Sequence, residues 1–243
     1  MDAIGRYFDH AVSLLKEILL TQGDRLEEAA QIMASCLMDG GLIYAFGTGH
    51  AHMLAEELFY RAGGLAAVYP ILDEKLMLHI DASGSTEVER TSGYAGQLLD
   101  KYPVKPGDVM IVCSNSGRNA APVEMALCAR ARGLRVIALT NIRHSTSVSS
   151  NNPSGKKLMD AAELVLDNCG CYGDTAFDVC GKRMGATSTF AGAAILQALS
   201  CRTAEIISAT GYAPEVFISS NIGGNGGENE AVLEKYRQRV HCL

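Results

Sequence analysis

The chain has 243 residues, 48% of them apolar, which is enough for one large or two small folded domains and argues against a disordered protein. Its 27 acidic and 21 basic side chains give a net charge of −6, which argues against nucleic acid or an anionic membrane surface as a partner. The 25 glycines among 243 residues are about 10% of the chain, above the usual share of about 7%. They indicate many tight turns or close backbone approaches.

Two amphipathic helices are predicted ahead of the first strand, over residues 3–20 and 24–38. The first is indicated by apolar side chains spaced three or four positions apart, at Ile4, Phe8, Val12, Leu15 and Leu19. Asp24 is placed to cap the second helix, and two glycines follow its end. We expect these helices to form an N-terminal extension over residues 1–40.

Five short apolar runs of strand type follow, and a sixth candidate lies at 215–219. The five runs are at residues 42–46, 66–72, 108–114, 135–140 and 163–168, and helices are predicted among them at 51–62, 87–101, 120–132 and 187–209. Apolar residues in these runs do not alternate with polar ones, so both faces of the sheet are expected to be covered. The pattern predicts a single α/β domain over residues 1–243. Its core and C-terminal segment, 41–243, would hold a doubly wound, mainly parallel five-stranded sheet flanked by helices.

The eight cysteines are best interpreted as reduced thiols of a cytoplasmic protein. The sequence has no CxxC pair, and the N-terminal segment lacks the apolar stretch of a secretion signal. Cys169, Cys171 and Cys180 raise the alternative of a metal cluster, but no histidine lies close to them in sequence, so no metal is predicted. The longest charge-free stretch, 184–201, contains Thr, Ser and Gln, so no membrane span is predicted either.

Two loops that follow predicted strands have the composition of an anion site. The first is Gly47-Thr48-Gly49-His50, and the second runs from Ser114 to Asn119 with the sequence SNSGRN. Glycines let backbone N–H groups point inward, and the N-terminus of the following helix favours negative charge. A phosphate is therefore the expected ligand. A dinucleotide site with Asp73 as the ribose acid is an alternative, although His52 stands where the third glycine belongs, and a pair of ordinary turns is another.

The motifs GTGHA, SNSGRN and GATST, each ahead of a predicted helix, resemble the SIS (sugar isomerase) domain of phosphosugar isomerases and phosphosugar-binding proteins. The segments HMLAEE, FYRAGG and PSGK are similar to those of a bacterial SIS-domain family of mostly uncharacterised proteins. Phosphoheptose isomerase is a more distant relative. The resemblance covers nearly the whole chain and implies a site for a phosphorylated sugar.

The resemblance also implies which residues bind the ligand. Gly47, Thr48 and Gly49 would face the sugar, and the phosphate would lie against Ser114, Asn115, Ser116 and Asn119. Ala51 stands where family members often have a serine. A third helix N-terminus would close over the ligand with Thr187, Ser188 and Thr189, unless these residues only cap the helix.

Catalysis would need a base beside the carbonyl and an acid for the oxygen. Glu57 matches the catalytic glutamate of phosphoheptose isomerase, and the adjacent Glu56 would point about 100° away on a helix. That enzyme's partner histidine is expected on the last long helix, but 187–209 contains none. The acid candidates are His50 and His79; the neighbouring His52 is expected to turn away, and Glu87 is a further carboxylate. No role is predicted for His10, His144 or His241.

The favoured function is isomerisation of a phosphosugar through an enediol-type intermediate, without a cofactor. The alternative is a non-catalytic phosphosugar sensor, which the missing helix histidine and Ala51 favour; a dinucleotide oxidoreductase is a third possibility. SIS domains generally pair, so we expect a homodimer or tetramer with sites near the subunit interface. Its contact surfaces would be the N-terminal helices and helix 187–209. Loop 144–155 and the glycines at 223–227 are expected to be exposed connections, with an anion nest as the alternative for the glycines.

Overall fold

The structure is a computed structural model that describes residues 1–219, 221 and 226–243. Its main sheet has five parallel strands in the order β2-β1-β3-β4-β5. The strands are β1 (Ile43–Gly47), β2 (Val68–Ile71), β3 (Val109–Cys113), β4 (Arg135–Thr140) and β5 (Leu164–Asp167). In register, Ile43 of β1 lies between Val68 and Val109 of its two neighbours. The doubly wound α/β fold predicted from the sequence is confirmed.

Helices cover both faces of the sheet. They are α1 (Ala3–Met38), α2 (His52–Leu58), α3 (Ala82–Arg90), α4 (Tyr94–Leu99), α5 (Ala120–Ala131), α6 (Ile142–Ser147), α7 (Leu158–Ala161), α8 (Ser188–Ala209) and α9 (Gly226–Arg237). A small antiparallel hairpin, β6 (Phe177–Val179) and β7 (Lys182–Met184), lies between β5 and α8.

Alternate side chains of each strand enter two separate cores, as the period of two in a strand requires. On one face, Tyr44 and Met110 are fully buried against α4, α5 and α7. On the other, Ile43 and Ile111 are fully buried against α1, α2 and α8. This two-sided burial explains why the strands read as unbroken apolar runs.

The N-terminal extension is one continuous helix, so the prediction of two helices was wrong. Asp2 caps it by accepting a hydrogen bond from the amide of Gly5 at 2.8 Å, whereas Asp24 lies inside the helix. Gly23 weakens a helix only by about 1 kcal/mol. Packing of α1 along α8 outweighs that local cost, because tertiary contacts supply most helical stability.

Several local boundaries also differ from the prediction. The helix expected at 51–62 is preceded by a 3-10 turn at Gly49–Ala51 and ends at Leu58. The helix expected at 87–101 is two helices, α3 and α4, because Gly93 between them has a φ of +82°. The run 215–219 forms only an isolated bridge between Val216 and Leu65 rather than a sixth strand.

The segment 144–155 is not simply an exposed connection, because it continues α6 and then pairs with the SNSGRN loop through a bridge between Asn119 and Asn151. Gly223 and Gly224 lie outside the described residues. Gly226 and Gly227 begin α9.

Helix α8 is long and apolar enough to cross a membrane by length and composition alone. It packs along α1 and α2, and its side chains Ile195, Leu196 and Leu199 belong to the core. A core helix passes the same test, so this is weak evidence for a membrane span. All eight cysteines carry free thiols, and no three His, Cys, Asp or Glu side chains in the described ranges come together as metal ligands.

Candidate functional site

A cavity of about 400 Å³ opens at the carboxyl ends of the strands, where ligands bind in open parallel sheets. Its lining includes residues from the two loops and the helix N-terminus that the sequence analysis predicted to bind a ligand. They are Thr48, Gly49, His50, Ser114, Asn115, Ser116, Asn119, Ser188 and Thr189. The structure therefore brings together in space side chains that are up to about 140 positions apart in the chain.

The first loop follows β1 and passes very close to its own backbone. A Cβ on Gly47 would lie 2.2 Å from the carbonyl oxygen of Ala51, so no other residue fits without moving the loop. Gly49 has a φ of +57° and begins the 3-10 turn that presents His50, which is exposed, at the cavity. Gly47 thus shapes the loop, and Thr48, Gly49 and His50 face the cavity.

The second loop carries the SNSGRN motif from β3 to α5. The Ser114 hydroxyl accepts a hydrogen bond from the Gly117 amide at 3.2 Å, and Gly117 has a φ of +57°. This turn places Ser116 at the cavity just ahead of α5. The N-terminus of the helix, with its unpaired amides, therefore points to the region where an anion would bind.

Asn119 stands at the cap position of α5 but does not cap it with its side chain. Instead its Nδ2 donates to Glu89 at 2.9 Å, and its Oδ1 accepts from Nδ2 of Asn151 at 3.1 Å. Asn119 therefore joins the carboxylate of α3 to the segment that follows α6. The backbone amides at the start of α5 remain open to a ligand.

Three asparagine side chains form a relay behind the loops. Asn141 donates from Nδ2 to Oδ1 of Asn168 at 3.1 Å, and Asn168 donates from Nδ2 to Oδ1 of Asn115 at 2.9 Å. Asn141 also accepts the backbone N–H of His144 at 2.7 Å as the cap of α6. The relay fixes the end of β4 and the end of β5 against the SNSGRN loop.

The third predicted element, the N-terminus of α8, is bound by a carboxylate of the same chain. Oδ1 of Asp174 accepts hydrogen bonds from the amide and hydroxyl of Thr187 and from the Ser188 amide, and Oδ2 accepts from the Ser188 hydroxyl. Thr187 is fully buried. Capping therefore engages Thr187 and Ser188, and both Ser188 and Thr189 line the cavity.

Glu57 lies outside the set of residues that line this cavity. Its carboxylate binds Arg61 at 2.7 Å and accepts from Nε2 of Gln197 at 3.0 Å. Gln197 lies on α8, the helix on which the resemblance places a histidine. Glu56 is exposed and lies 3.5 Å from Nε2 of His52.

His52 turns away from the ligand face, as predicted. It is buried, and its Nδ1 donates to the carbonyl oxygen of Gly49 at 2.5 Å. His79 is exposed, with its ring centroid 6.2 Å from that of His52, so it neighbours the first loop from outside the cavity lining. Glu87 is exposed as well.

Sequence reasoning missed three ionisable side chains that face the cavity, namely Glu89, His144 and Asp174. Thr86 and Glu89 both line it, and their spacing of three places them on one side of α3, a helical pattern that singles out Glu89 rather than Glu87. His144 follows the carboxyl end of β4, which is itself a signal for a ligand-facing position. The remaining wall is completed by Leu54, Leu78, Leu139, Asn168 and Gly173.

The electrostatic surroundings of His144 favour its neutral form. Partial burial lowers the pKa of the imidazole, and the nearby guanidinium of Arg118 lowers it further, while the carboxylate of Asp174 acts in the opposite direction. The Gly173 amide donates to Nδ1 of His144 at 2.9 Å, so the proton of the ring resides on Nε2.

A protein-family model described as "SIS domain" matches residues 6–141 of the sequence. The chain belongs to the SIS-domain family. A UPF0309 protein of Listeria monocytogenes is 41% identical over 245 residues, covering 99% of this chain and 98% of the relative. A UPF0309 protein of Geobacillus thermodenitrificans is 38% identical, covering 99% and 97%.

Solved structures of phosphoheptose isomerases share the fold of this SIS-domain protein. The one from Neisseria gonorrhoeae has a TM-score of 0.54 at 19% identity, covering 85% of this chain and 97% of that one. The one from Francisella tularensis has a TM-score of 0.56 at 16% identity, covering 82% and 95%. At such identities the likeness establishes the SIS architecture.

The hydrogen-bond donors at the cavity of this SIS-domain protein are neutral groups. Among the residues described, the cavity lining contains no lysine or arginine. Hydroxyls of Ser116 and Thr189, backbone amides and the helix N-terminus provide the donors instead. Chemically, the arrangement suits an anionic group at the SNSGRN loop and a polyhydroxylated remainder beside His50, Glu89 and His144.

Proposed function

We propose that this protein binds a phosphorylated monosaccharide, with the phosphate at the SNSGRN loop, and interconverts its aldose and ketose forms through an enediol-type intermediate. The observation that carries the proposal is the alignment of Ser114 and Ser116 with the start of α5 at a cavity of about 400 Å³. That volume lies within the usual range for small-molecule sites. SIS-domain membership and the likeness to phosphoheptose isomerases support the same ligand class.

Isomerisation requires a base for the proton beside the carbonyl and a donor for the oxygen. We assign Glu57 as the base, because it matches the catalytic glutamate of phosphoheptose isomerase, and His50 or His79 as the acid. Among these three, His50 has the geometry of a ligand contact in the single chain. No metal, redox cofactor, nucleic acid or membrane enters this proposal, and the free thiols favour a cytoplasmic location.

A non-catalytic phosphosugar sensor is the second candidate function. Its supporting observation is that Glu57 is bound by Gln197 and Arg61, so an amide faces it where an acid–base histidine would be needed. Ala51 lines the cavity without a hydroxyl, which removes one ligand donor. Both observations allow binding without turnover.

We further propose a homodimer or larger assembly with the sites near the subunit interface. The apolar stripe of α1 is exposed in the single chain, with Phe8 66% and Leu19 69% accessible. Only 44% of the most apolar stretch of the neighbouring α8 is buried. The exposed apolar stripe of α1, which packs along α8, suits a second copy of the chain.

A thermal-shift screen of hexose, heptose and amino-sugar phosphates tests the function. A ligand at 100 times its Kd stabilises the fold by about 2.7 kcal/mol, and Ser116→Ala should remove most of that gain. Ser35→Ala changes an exposed serine at the far end of α1 and should keep it. Equal ligand gains in both variants, or no gain in wild type, would contradict the proposed site.

Turnover separates the two candidate functions. Each sugar phosphate that stabilises the protein is incubated with it, and the product is followed by NMR. Conversion of an aldose phosphate to its ketose supports the isomerase. Stabilisation without any conversion supports the sensor.

A further inference from the structure

Four ionisable side chains line the cavity, and three of them are already engaged or exposed. Asp174 uses both carboxylate oxygens to cap α8, and Glu89 accepts from Asn119. His50 is exposed on its turn. His144 is the remaining one, and in the described part of the chain its Nε2 has no hydrogen-bond partner.

The hydrogen bond from the Gly173 amide determines what His144 can do. A backbone N–H can only donate, so Nδ1 accepts and carries no proton. The proton is on Nε2, which makes the neutral ring a hydrogen-bond donor toward a ligand oxygen. A neutral donor of this type stabilises the negative charge that develops on a carbonyl oxygen.

The position of His144 is fixed relative to the SNSGRN loop. Its backbone amide binds Asn141, the first member of the asparagine relay, whose last member is Asn115 in that loop. Its ring lies against Tyr172, with the centroids 4.9 Å apart. The imidazole is therefore held at a defined place beside the proposed phosphate site, as a catalytic donor must be.

We propose that His144 is a catalytic residue whose Nε2–H donates to the oxygen at the reacting end of the bound sugar phosphate, an assignment that rests on the function proposed above. In the enediolate-forming step the C–H electron pair becomes the carbon–carbon double bond, the proton moves to the base, and the carbonyl π pair moves onto the oxygen, which the acid protonates afterwards to give the enediol. The Nε2–H of His144 stabilises that oxygen and stays bonded to nitrogen. The role differs from that of the acid candidates His50 and His79.

NMR of protein labelled with ¹⁵N tests the contact directly, with the Nε2 signal of His144 assigned by its loss in His144→Phe. Two classes of probe are compared: inorganic phosphate, and the hexose, heptose and amino-sugar phosphates of the thermal-shift panel. Inorganic phosphate should shift the Ser116 amide and leave Nε2 of His144 unchanged. A sugar phosphate that binds should shift both.

The outcomes separate this assignment from the proposed function. A sugar phosphate that shifts the Ser116 amide but not Nε2 of His144 overturns the assignment and leaves phosphosugar binding intact. If no member of the panel shifts either signal, the proposed function and the assignment both fall.

Kinetics provide the second readout once a substrate is known. His144→Phe keeps a ring against Tyr172 but removes the donor, so kcat should fall about 10²–10³-fold with KM changed less than about threefold. His241→Phe is the matched control, since His241 also packs its ring against a tyrosine, Tyr69, away from the site. An unchanged kcat in His144→Phe overturns the assignment.

Discussion

The carboxylate of Asp174 accepts two hydrogen bonds from Ser188, one from its backbone amide at 2.8 Å and one from its hydroxyl at 2.6 Å. Asp174 adopts a φ of +57°, a conformation that costs free energy for a residue with a Cβ. The cap and the dipole of α8 repay that cost by placing a negative charge at the helix N-terminus.

Asp174→Asn keeps one acceptor oxygen but removes the charge and the second acceptor, so it should destabilise the fold by about 1–2 kcal/mol. Urea unfolding measures the change. Asp9→Asn alters an exposed aspartate on α1 and should leave the free energy of unfolding within about 0.5 kcal/mol of wild type. Equal losses in the two variants would show that the charge of Asp174 contributes nothing to stability.

Glu57→Gln tests the proposed base without changing side-chain size. Loss of a general base should lower kcat about 10²–10⁴-fold, with a much smaller change in KM. Glu56→Gln is the control on the adjacent, exposed residue and should keep wild-type turnover. Glu89→Gln is measured in parallel because Glu89 faces the cavity; a large loss there, with full activity in Glu57→Gln, would assign the base to Glu89 instead.

The lowered pKa of His144 predicts that the free energy of unfolding depends on pH. Its pKa in the folded protein is lowered, so between that value and the ordinary value near 6.5 the unfolded chain binds more protons. The free energy of unfolding should therefore fall as the pH drops below about 6.5. The charged groups that act on the ring are Arg118 and Asp174, and Tyr172 packs against it.

Urea unfolding between pH 7.5 and 5 measures this decline in wild type and in His144→Phe. The variant has no titrating group at this position, so its decline should be shallower. Identical declines in the two proteins would show that the titration of His144 is not coupled to folding.

The exposed stripe on α1 predicts that charge placed there disrupts the assembly. Phe8→Glu should yield the mass of a single chain in light scattering at micromolar concentration, because an unpaired carboxylate in an apolar interface carries a large desolvation cost. Arg25→Glu, at an exposed position later in α1, should keep the wild-type mass. A wild-type protein that is itself a single chain under these conditions would contradict the proposed dimer.

Two glycine substitutions should change the stability of the fold in opposite directions. Gly47→Ala puts a Cβ 2.2 Å from the Ala51 carbonyl oxygen and should cost at least about 1–3 kcal/mol, since only backbone movement relieves the overlap. Gly23→Ala lies within α1 with no atom within 4 Å of the new Cβ, and should stabilise by about 0.5–1 kcal/mol. Thermal unfolding compares them, and equal melting temperatures would contradict the close approach at Gly47.

The sheet and the loops at its carboxyl edge were predictable because they depend on local patterns. Unbroken apolar runs such as 108–114 mark buried parallel strands, and the polar residues directly after them must lie at one edge. The joining of residues 3–20 and 24–38 into α1 was not predictable. It depends on contacts with α8, nearly two hundred positions away, which outweigh the propensity of Gly23.

Some residues of the cavity wall were likewise predictable from local sequence patterns, and others were not. Ser116 and Gly49 lie on loops that a strand-to-helix pattern reveals. His144 lies on α6, just after β4, and Asp174 lies in the connection that follows β5. The paths of these segments depend on hydrogen bonds between distant side chains, such as those of the asparagine relay. The apolar stripe of α1 was predictable from its helical spacing. Its exposure was not, because an amphipathic pattern does not show whether the apolar face packs in the core of its own chain or against another chain.

The asparagine relay has a direction, because each Nδ2 gives its hydrogen to the next Oδ1 from Asn141 through Asn168 to Asn115. An aspartate at the middle position would offer two acceptors and no donor, leaving the oxygen of Asn115 without its hydrogen. The three positions are therefore expected to change together or not at all during divergence. A protein engineer who wishes to reshape this site would have to redesign the whole relay as one unit.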